Sequence, residues 1–375
     1  MELKYKKITV KIGSNVLTKE CGTLNEVQIA HLVDQIATLH KSGVEVIVVS
    51  SGAVAAGKTI LKKLKKSDAV TSRQIWSALG QVKLINLYTE LFKGHGINCA
   101  QVLTTKDNFS SRGHYLNMKS CINSLLENNV IPIVNENDTI SVNELMFTDN
   151  DELSGLIASM ANSDGLIILS NVDGVYDGDP KVAGARLIPK IQNNGFEPED
   201  LISPQLSGFG RGGMVTKFRI SRKVAKGGIG VHIANGTKKN ILVDLLDKNT
   251  EVAHTHFVPE EKSTSNVKKW IAYSDSFSKG HLVINEGACK ALFSDKAVSL
   301  LPVGVIQVKG AFKKGDLVKI YNEQDTFIGI GKAQYDSDRI RDEKLNVPKG
   351  ANREKQKPVI HYDYLYLEDI KFNSE

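Results

Sequence analysis

A three-layer α/β/α sandwich with a mainly parallel sheet, followed by a small β-rich, barrel-like module, is the fold class this sequence predicts. Three observations carry the prediction. Apolar runs of strand length alternate with helical periodicities from residue 8 to residue 234. Turn residues and polar side chains gather where those runs end. From about residue 276 the helical periods give way to short β-rich runs punctuated by Gly304, Gly310, Gly315 and Gly331.

The elements follow in order. Ile8, Val10 and Ile12 alternate with Thr9 and Lys11 before Gly13-Ser14-Asn15 turns the chain, which reads as a strand delivering Lys11 near its end. Between Asn25 and Ser42 the residues Ile29, Leu32, Val33, Ile36 and Leu39 fall on one helical face, with Asn25 as cap and Gly43 as stop. Val44 to Val49 is a near-continuous β-branched run, as in a strand covered on both faces, and it ends in Ser51-Gly52. Strands are then expected over Ile97 to Leu103, Val130 to Val134, Gly165 to Ser170 and Ile229 to Ala234. Helices are expected over Asn117 to Asn128, Leu153 to Met160 and Met214 to Lys226. This alternation implies parallel pairing with helices on both faces. Ligands then gather at the carboxyl ends of the strands. Those ends carry Lys11, Ser51-Gly52, Asn135 to Asp138 and Ser170-Asn171. The domains are expected at residues 1–258, with a polar linker at 259–275 and the β-rich module at 276–371.

Composition narrows the function. A net charge of +6 divides into +4 before residue 276 and +2 after it, short of the basic excess of a polyanion-binding domain. The first seven residues are charged, without the apolar stretch of a signal peptide. No run approaches the ~18–20 apolar residues of a membrane span. A cytoplasmic protein is expected, with Cys21, Cys99, Cys121 and Cys289 as reduced thiols too scattered for a metal site.

The densest chemistry lies in residues 135–152, with six carboxylates and four Asn side chains directly after an apolar strand. Such a stretch can hold a divalent cation, bind an ammonium group, or stand as a solvated loop. A calcium loop counted from Asp149 needs an oxygen ligand at the fifth position and glycine at the sixth, whereas this stretch has Leu153 at the fifth and its glycine, Gly155, at the seventh. Residues 139–146 are read as a segment over the site. Gly52 to Thr59 matches G-x-x-x-x-G-K-[ST], but its Ala-Val-Ala-Ala interior favours a helix, with a P-loop built on Lys58 as the alternative. Gly208 to Gly213 matches G-x-G-x-x-G without the preceding strand of a dinucleotide site, and neither H-R-D nor D-F-G accompanies it. Its glycines, the helix start behind them and Lys217 in the first turn suit a phosphate cradle, against a plain surface loop.

Five segments together resemble the glutamate 5-kinases of the amino acid kinase superfamily. They are Val10 to Ser14, Ser51 to Gly57, Asn135 to Asp138, Asp149 to Asp151 and Gly212 to Lys217. The tail from Gly280 to Arg339 is similar to the domain shared by pseudouridine synthases and archaeosine transglycosylases. The resemblance implies the amino acid kinase fold and transfer of the γ-phosphoryl of ATP, with Mg²⁺, to the side-chain carboxylate of L-glutamate, the first step towards proline. It implies Lys11 and Lys217 as catalytic cations. On the substrate side it implies Ser51, Gly52, Ala53, Asn135, Asp138, Asp149 and Asn150, with Asp151 as a further candidate for the ammonium. On the ATP side it implies Lys11, Gly13, Ser170, Asn171, Arg211, Gly212, Gly213, Met214, Val215, Thr216 and Lys217, with no protein ligand assigned to the metal. Ser170-Asn171 stands where the family usually has Thr-Asp, and Arg211 where it has Thr. A homo-oligomer, dimer or tetramer, and feedback inhibition by proline are also implied. The alternative of another class is an RNA-binding protein acting through its tail, which the small charge of that tail opposes.

Overall fold

In the computed structural model the described residues are 2–64, 68–110, 112–141, 149–182, 184–192, 213–260, 268, 270–271, 278–294, 297–345 and 357–368. The chain divides into two compact units, Met1–Ser263 and Thr264–Glu375.

The first unit is built on an eight-stranded sheet. Its strands are β1 (Lys7–Ile12), β2 (Glu45–Ser50), β3 (Asn98–Thr104), β4 (Val130–Glu136), β5 (Gly165–Ser170), β6 (Lys190–Ile191), β7 (Gly230–Asn235) and β8 (Thr255–Phe257). Their order is β3-β4-β2-β1-β5-β7-β8-β6. Every pair from β3 to β7 is parallel, and only β8 runs antiparallel to its neighbour β7. Burial explains the sequence of the central strands. Residues 8–12 and 46–50 are buried throughout, so both faces are covered and the β-branched runs need no alternation. The short β6 and β8 were not foreseen, because two or three residues carry no readable period.

The helices cover the sheet. They are α1 (Ser14–Leu17), α2 (Glu26–Lys41), α3 (Ala53–Ile60), α4 (Ala69–Gly94), α5 (Asp107–Ser110), α6 (Arg112–Glu127), α7 (Asn150–Ala161), α8 (Met214–Lys226) and α9 (Ile241–Leu246). Asn25 caps α2 by accepting from the Gln28 amide at 3.3 Å, and Gly43 ends it at φ +88°. The 26-residue α4, capped by Asp68 through the Thr71 amide at 2.7 Å, is absent from the sequence reading. Its buried face runs Ser77, Gly80, Gln81, Leu84, Tyr88, Phe92, so its first half is small or polar and its period is hidden.

The G-x-x-x-x-G-K-T match now has a structural cause. Residues 53–60 are helical, as the alanine-rich interior predicts, and α3 lies directly against α4. A Cβ on Gly57 would overlap the Trp76 carbonyl oxygen, and one on Gly80 would overlap that of Ala53. Gly80→Ala is therefore expected to cost about 2–3 kcal/mol, the upper range for overpacking, read as a shift of the urea midpoint. An unchanged midpoint would mean that the helices part freely.

The second unit holds β9 (Gly280–Ile284), α10 (Glu286–Leu292), β10 (Val305–Lys309), β11 (Leu317–Tyr321), β12 (Phe327–Lys332), α11 (Ser337–Leu345) and β13 (Leu365–Leu367). Its sheet order is β10-β9-β11-β12-β13, antiparallel except for β9 with β11. Leu282, Ile284, Val318, Ile320 and Ile328 form its core, so this is a separate β-rich unit.

Candidate active site

The carboxyl ends of β1, β2, β4 and β5 open into one cavity of about 1300 Å³, lined among others by Lys11, Ser51, Asn135, Ser170 and Lys217. The turn after β1 brings its backbone close. Gly13 N donates to the Leu169 carbonyl at 3.2 Å, and a Cβ there would lie 3.1 Å from that oxygen. After β2 the chain turns through Gly52 at φ +101°, a left-handed conformation that favours glycine, and enters α3 at Ala53.

Asn150 knits together residues that the sequence places on the substrate side as an expectation. Its Nδ2 donates to the Ser50 carbonyl and to Ser51 Oγ, both at 2.9 Å, and to Asn135 Oδ1 at 3.1 Å. Three residues singled out from separate segments, Ser51, Asn135 and Asn150, thus share one hydrogen-bonded cluster. Asp138, 7% exposed, accepts from Arg73 Nη2 at 2.8 Å and from Ser77 Oγ at 3.2 Å. Gln81 Nε2 donates to the Glu136 carbonyl at 3.2 Å. Arg73, Ser77 and Gln81 all come from α4, and sequence reasoning missed them with the helix. The spacing of four residues between each was the available signal.

Asp149 and Asp151 have different tasks. Asp149 Oδ1 caps α7, accepting from the amides of Asp151 at 2.8 Å and Glu152 at 3.1 Å, while its Oδ2 is buried without a partner among the described residues. Burial, and then the charge of Asp151, raise its pKa to about 6. Asp151 is fully buried and bridges two ammonium groups, with Lys11 Nζ 2.6 Å from Oδ1 and Lys217 Nζ 2.9 Å from Oδ2. Burial pushes its pKa up, but the two cations outweigh burial and hold it below the ordinary carboxylate value. A candidate for the substrate ammonium in the sequence is thereby committed to the lysines.

The residues expected to meet a nucleotide are less gathered. Ser170 lines the cavity, and its Oγ donates to Asn171 Oδ1 at 3.4 Å, whereas Asn171 is exposed beyond the lining. Gly213 is the N-cap of α8, and Met214, Val215 and Thr216 form its half-buried first turn behind Lys217, which does face the cavity. Arg211, Gly212 and most of the proposed phosphate cradle, as well as residues 142–148, lie outside the described residues.

The profile of the amino acid kinase family matches residues 6–235, and that of the PUA domain matches residues 280–346. Among curated relatives, the glutamate 5-kinase of Bacteroides thetaiotaomicron is 53% identical over 98% of this chain and 100% of its own. That of Chlorobaculum tepidum is 45% identical over 97% and 98%, and that of Methylococcus capsulatus 38% over 90% and 89%. With two lysines drawn from distant segments onto one buried carboxylate, and with this likeness running nearly end to end, the chain belongs to the amino acid kinase family, on its glutamate 5-kinase branch, with a PUA domain at its C-terminal side.

Proposed function

We infer that the chain transfers the γ-phosphoryl group of ATP to the γ-carboxylate of L-glutamate, giving γ-glutamyl phosphate for proline biosynthesis. The observation that carries the reading is the Lys11–Asp151–Lys217 bridge at the cavity wall. A carboxylate is already a nucleophile at neutral pH, so no general base is needed. The obstacle is repulsion between an anionic acceptor and a polyphosphate, and fixed positive charge at the transferring group removes it. Lys11 steadies the phosphates from the acceptor side, and Lys217 follows charge onto the leaving ADP oxygen.

On the acceptor side, Asn150 and Ser51 orient a substrate carboxylate with the amides of Gly52 and Ala53, and Asn135 buttresses Asn150. Asp138 and Asp149 take the substrate ammonium. On the nucleotide side, Gly13 lets the phosphates approach β1, while Ser170, Asn171 and the stretch Arg211 to Thr216 receive the rest of ATP. Magnesium supplies charge neutralisation to the phosphates. The donor set fits an ion carried mainly by the nucleotide. Asp151 is occupied by two ammoniums, and Asp149 has one oxygen left to offer. A homo-oligomer subject to proline inhibition rests on the resemblance, and a cytoplasmic location on the scattered cysteines read as reduced thiols. Among the described residues no helix is long and apolar enough to cross a membrane.

The test is purified protein with ATP, Mg²⁺, L-glutamate and hydroxylamine. Glutamate-dependent hydroxamate is expected, and its absence would sink the reading. A pH profile tests Asp149 separately. Because its folded pKa is raised to about 6 from 3.8, the folded chain takes up a proton there before the unfolded chain does. The stabilisation from that proton is full below pH 3.8 and is lost as pH rises through about 6. A protonated Asp149 cannot pair with an ammonium, so kcat/KM for glutamate is expected to fall on the acid side with a midpoint near 6. Asp149→Asn, which keeps a good N-cap, should flatten that limb at a lower plateau. An unaltered acid limb in this variant would assign it to another group.

A further inference from the structure

Among the cavity-lining cations to which the reading above gives no task, Arg73 is paired with a residue of the substrate side. Arg73 donates from Nη2 to Asp138 at 2.8 Å, and one turn along α4 Ser77 holds the other carboxylate oxygen at 3.2 Å. Arg73 Nε is buried with no acceptor among the described residues. The side chain is nevertheless 41% exposed and lines the same cavity as Lys11, Asn150 and Lys217. An ion pair kept for stability alone gains little at that exposure. It would also gain less than a stranded buried donor costs. The guanidinium is therefore placed as if an acceptor arrives from the cavity.

An amino acid presents a carboxylate and an ammonium on one carbon, and its complement is a cation set beside an anion. Arg73 and Asp138 are such a pair. An ionised carboxylate offers about four lone-pair sites, so Asp138 can take an ammonium while keeping Arg73 and Ser77. The planar guanidinium can turn its remaining donors onto a second carboxylate, with a fork geometry that a lysine lacks. We propose that Arg73 receives the α-carboxylate of the amino-acid substrate beside the ammonium held by Asp138. The two then read the zwitterion and select α-amino acids over simple dicarboxylates or amines. The proposal rests on the glutamate kinase reading and assigns a specificity residue within it.

The test compares the full-length wild type with R73Q, R73K and D138N in the hydroxamate assay. R73Q is expected to raise the glutamate KM about ten- to hundredfold, the range for a lost charge-assisted hydrogen bond, with the ATP KM essentially unchanged. R73K should fall between the two. Glutarate, which lacks the ammonium, and γ-aminobutyrate, which lacks the α-carboxylate, serve as competitive inhibitors. R73Q should weaken glutarate and spare γ-aminobutyrate, and D138N should do the reverse. An unchanged glutamate KM in R73Q overturns the proposal. So does equal weakening of both inhibitors, which would make Arg73 a support for Asp138 alone. If neither compound inhibits the wild type, the glutamate KM and its partial rescue by R73K decide. A wild type that forms no hydroxamate sinks the functional reading instead, before any variant is compared.

Discussion

Lys217→Ala is expected to lower kcat by about a thousandfold while moving the glutamate KM little. Loss of one positioned donor to developing charge typically costs 10²–10³ in kcat, and loss of a cation at a transferring phosphoryl group costs about 10³ or more. Lys217 stands in the first turn of α8, 12% exposed at its side chain, with its ammonium fixed 2.9 Å from Asp151. In the proposed reading it serves the nucleotide, whereas the hydrogen-bonded Ser51–Asn135–Asn150 cluster, which Lys217 does not join, orients the acceptor. The effect therefore belongs to the chemical step. Lys11→Ala should lower kcat comparably and raise the ATP KM as well, because Lys11 comes from β1 beside the close turn at Gly13. Steady-state kinetics with each substrate varied would show the split. Retention of more than about a tenth of kcat in Lys217→Ala is incompatible with a loss on the scale of an essential donor. Lys58→Ala is the matched control, since Lys58 lies over the Trp76 ring at 5.0 Å on a helix and not in an anion-binding loop. A collapse of activity there, with Lys217→Ala intact, would return the site to the P-loop reading.

Much of the central sheet could be read from sequence because its strands are buried on both faces and announce themselves as β-branched runs. The strand-end rule alone gathers Lys11, Ser51, Asn135 and Ser170, and all four line one cavity. What escaped did so for physical reasons. The buried face of α4 opens with Ser77, Gly80 and Gln81, chosen for close helix packing and for polar contacts to the strand end, so no apolar stripe marked it. Arg73 was lost with it. The division of work between Asp149 and Asp151 was also invisible. Two residues apart in one acidic run, they differ only in what the fold brings to them: helix amides to the first, two ammoniums to the second. Lys217 is 66 residues away from Asp151, and no spacing rule connects them.

That division makes Asp151→Asn the sharpest test of how the site is built. The carboxylate is fully buried, and the side chain of Lys11 is only 6% exposed. Removing one member of such an arrangement leaves a buried charge uncompensated, at a cost of about 3–5 kcal/mol. The ligand-free variant should therefore melt well below the wild type. The linkage has the opposite sign to that of Asp149. A pKa held below 3.8 contributes stability at neutral pH that is lost as pH falls through the folded value, and the variant should lack that acid-side loss. Nucleotide reverses part of the damage. With Asp151 neutral, two ammoniums at the cavity wall lose the anion they share, and polyphosphate supplies negative charge in its place. The stabilisation by saturating ATP should be larger in Asp151→Asn than in the wild type, since a ligand stabilises by its affinity for the folded state. Catalysis should nevertheless fall by about 10²–10³, because lysines no longer held 2.6 and 2.9 Å from a shared anion lose the preorganisation on which their effect depends. Weaker stability, stronger nucleotide rescue and a lower kcat form one signature. A variant that lost ATP affinity together with kcat would instead make Asp151 a direct ligand of the magnesium–nucleotide complex.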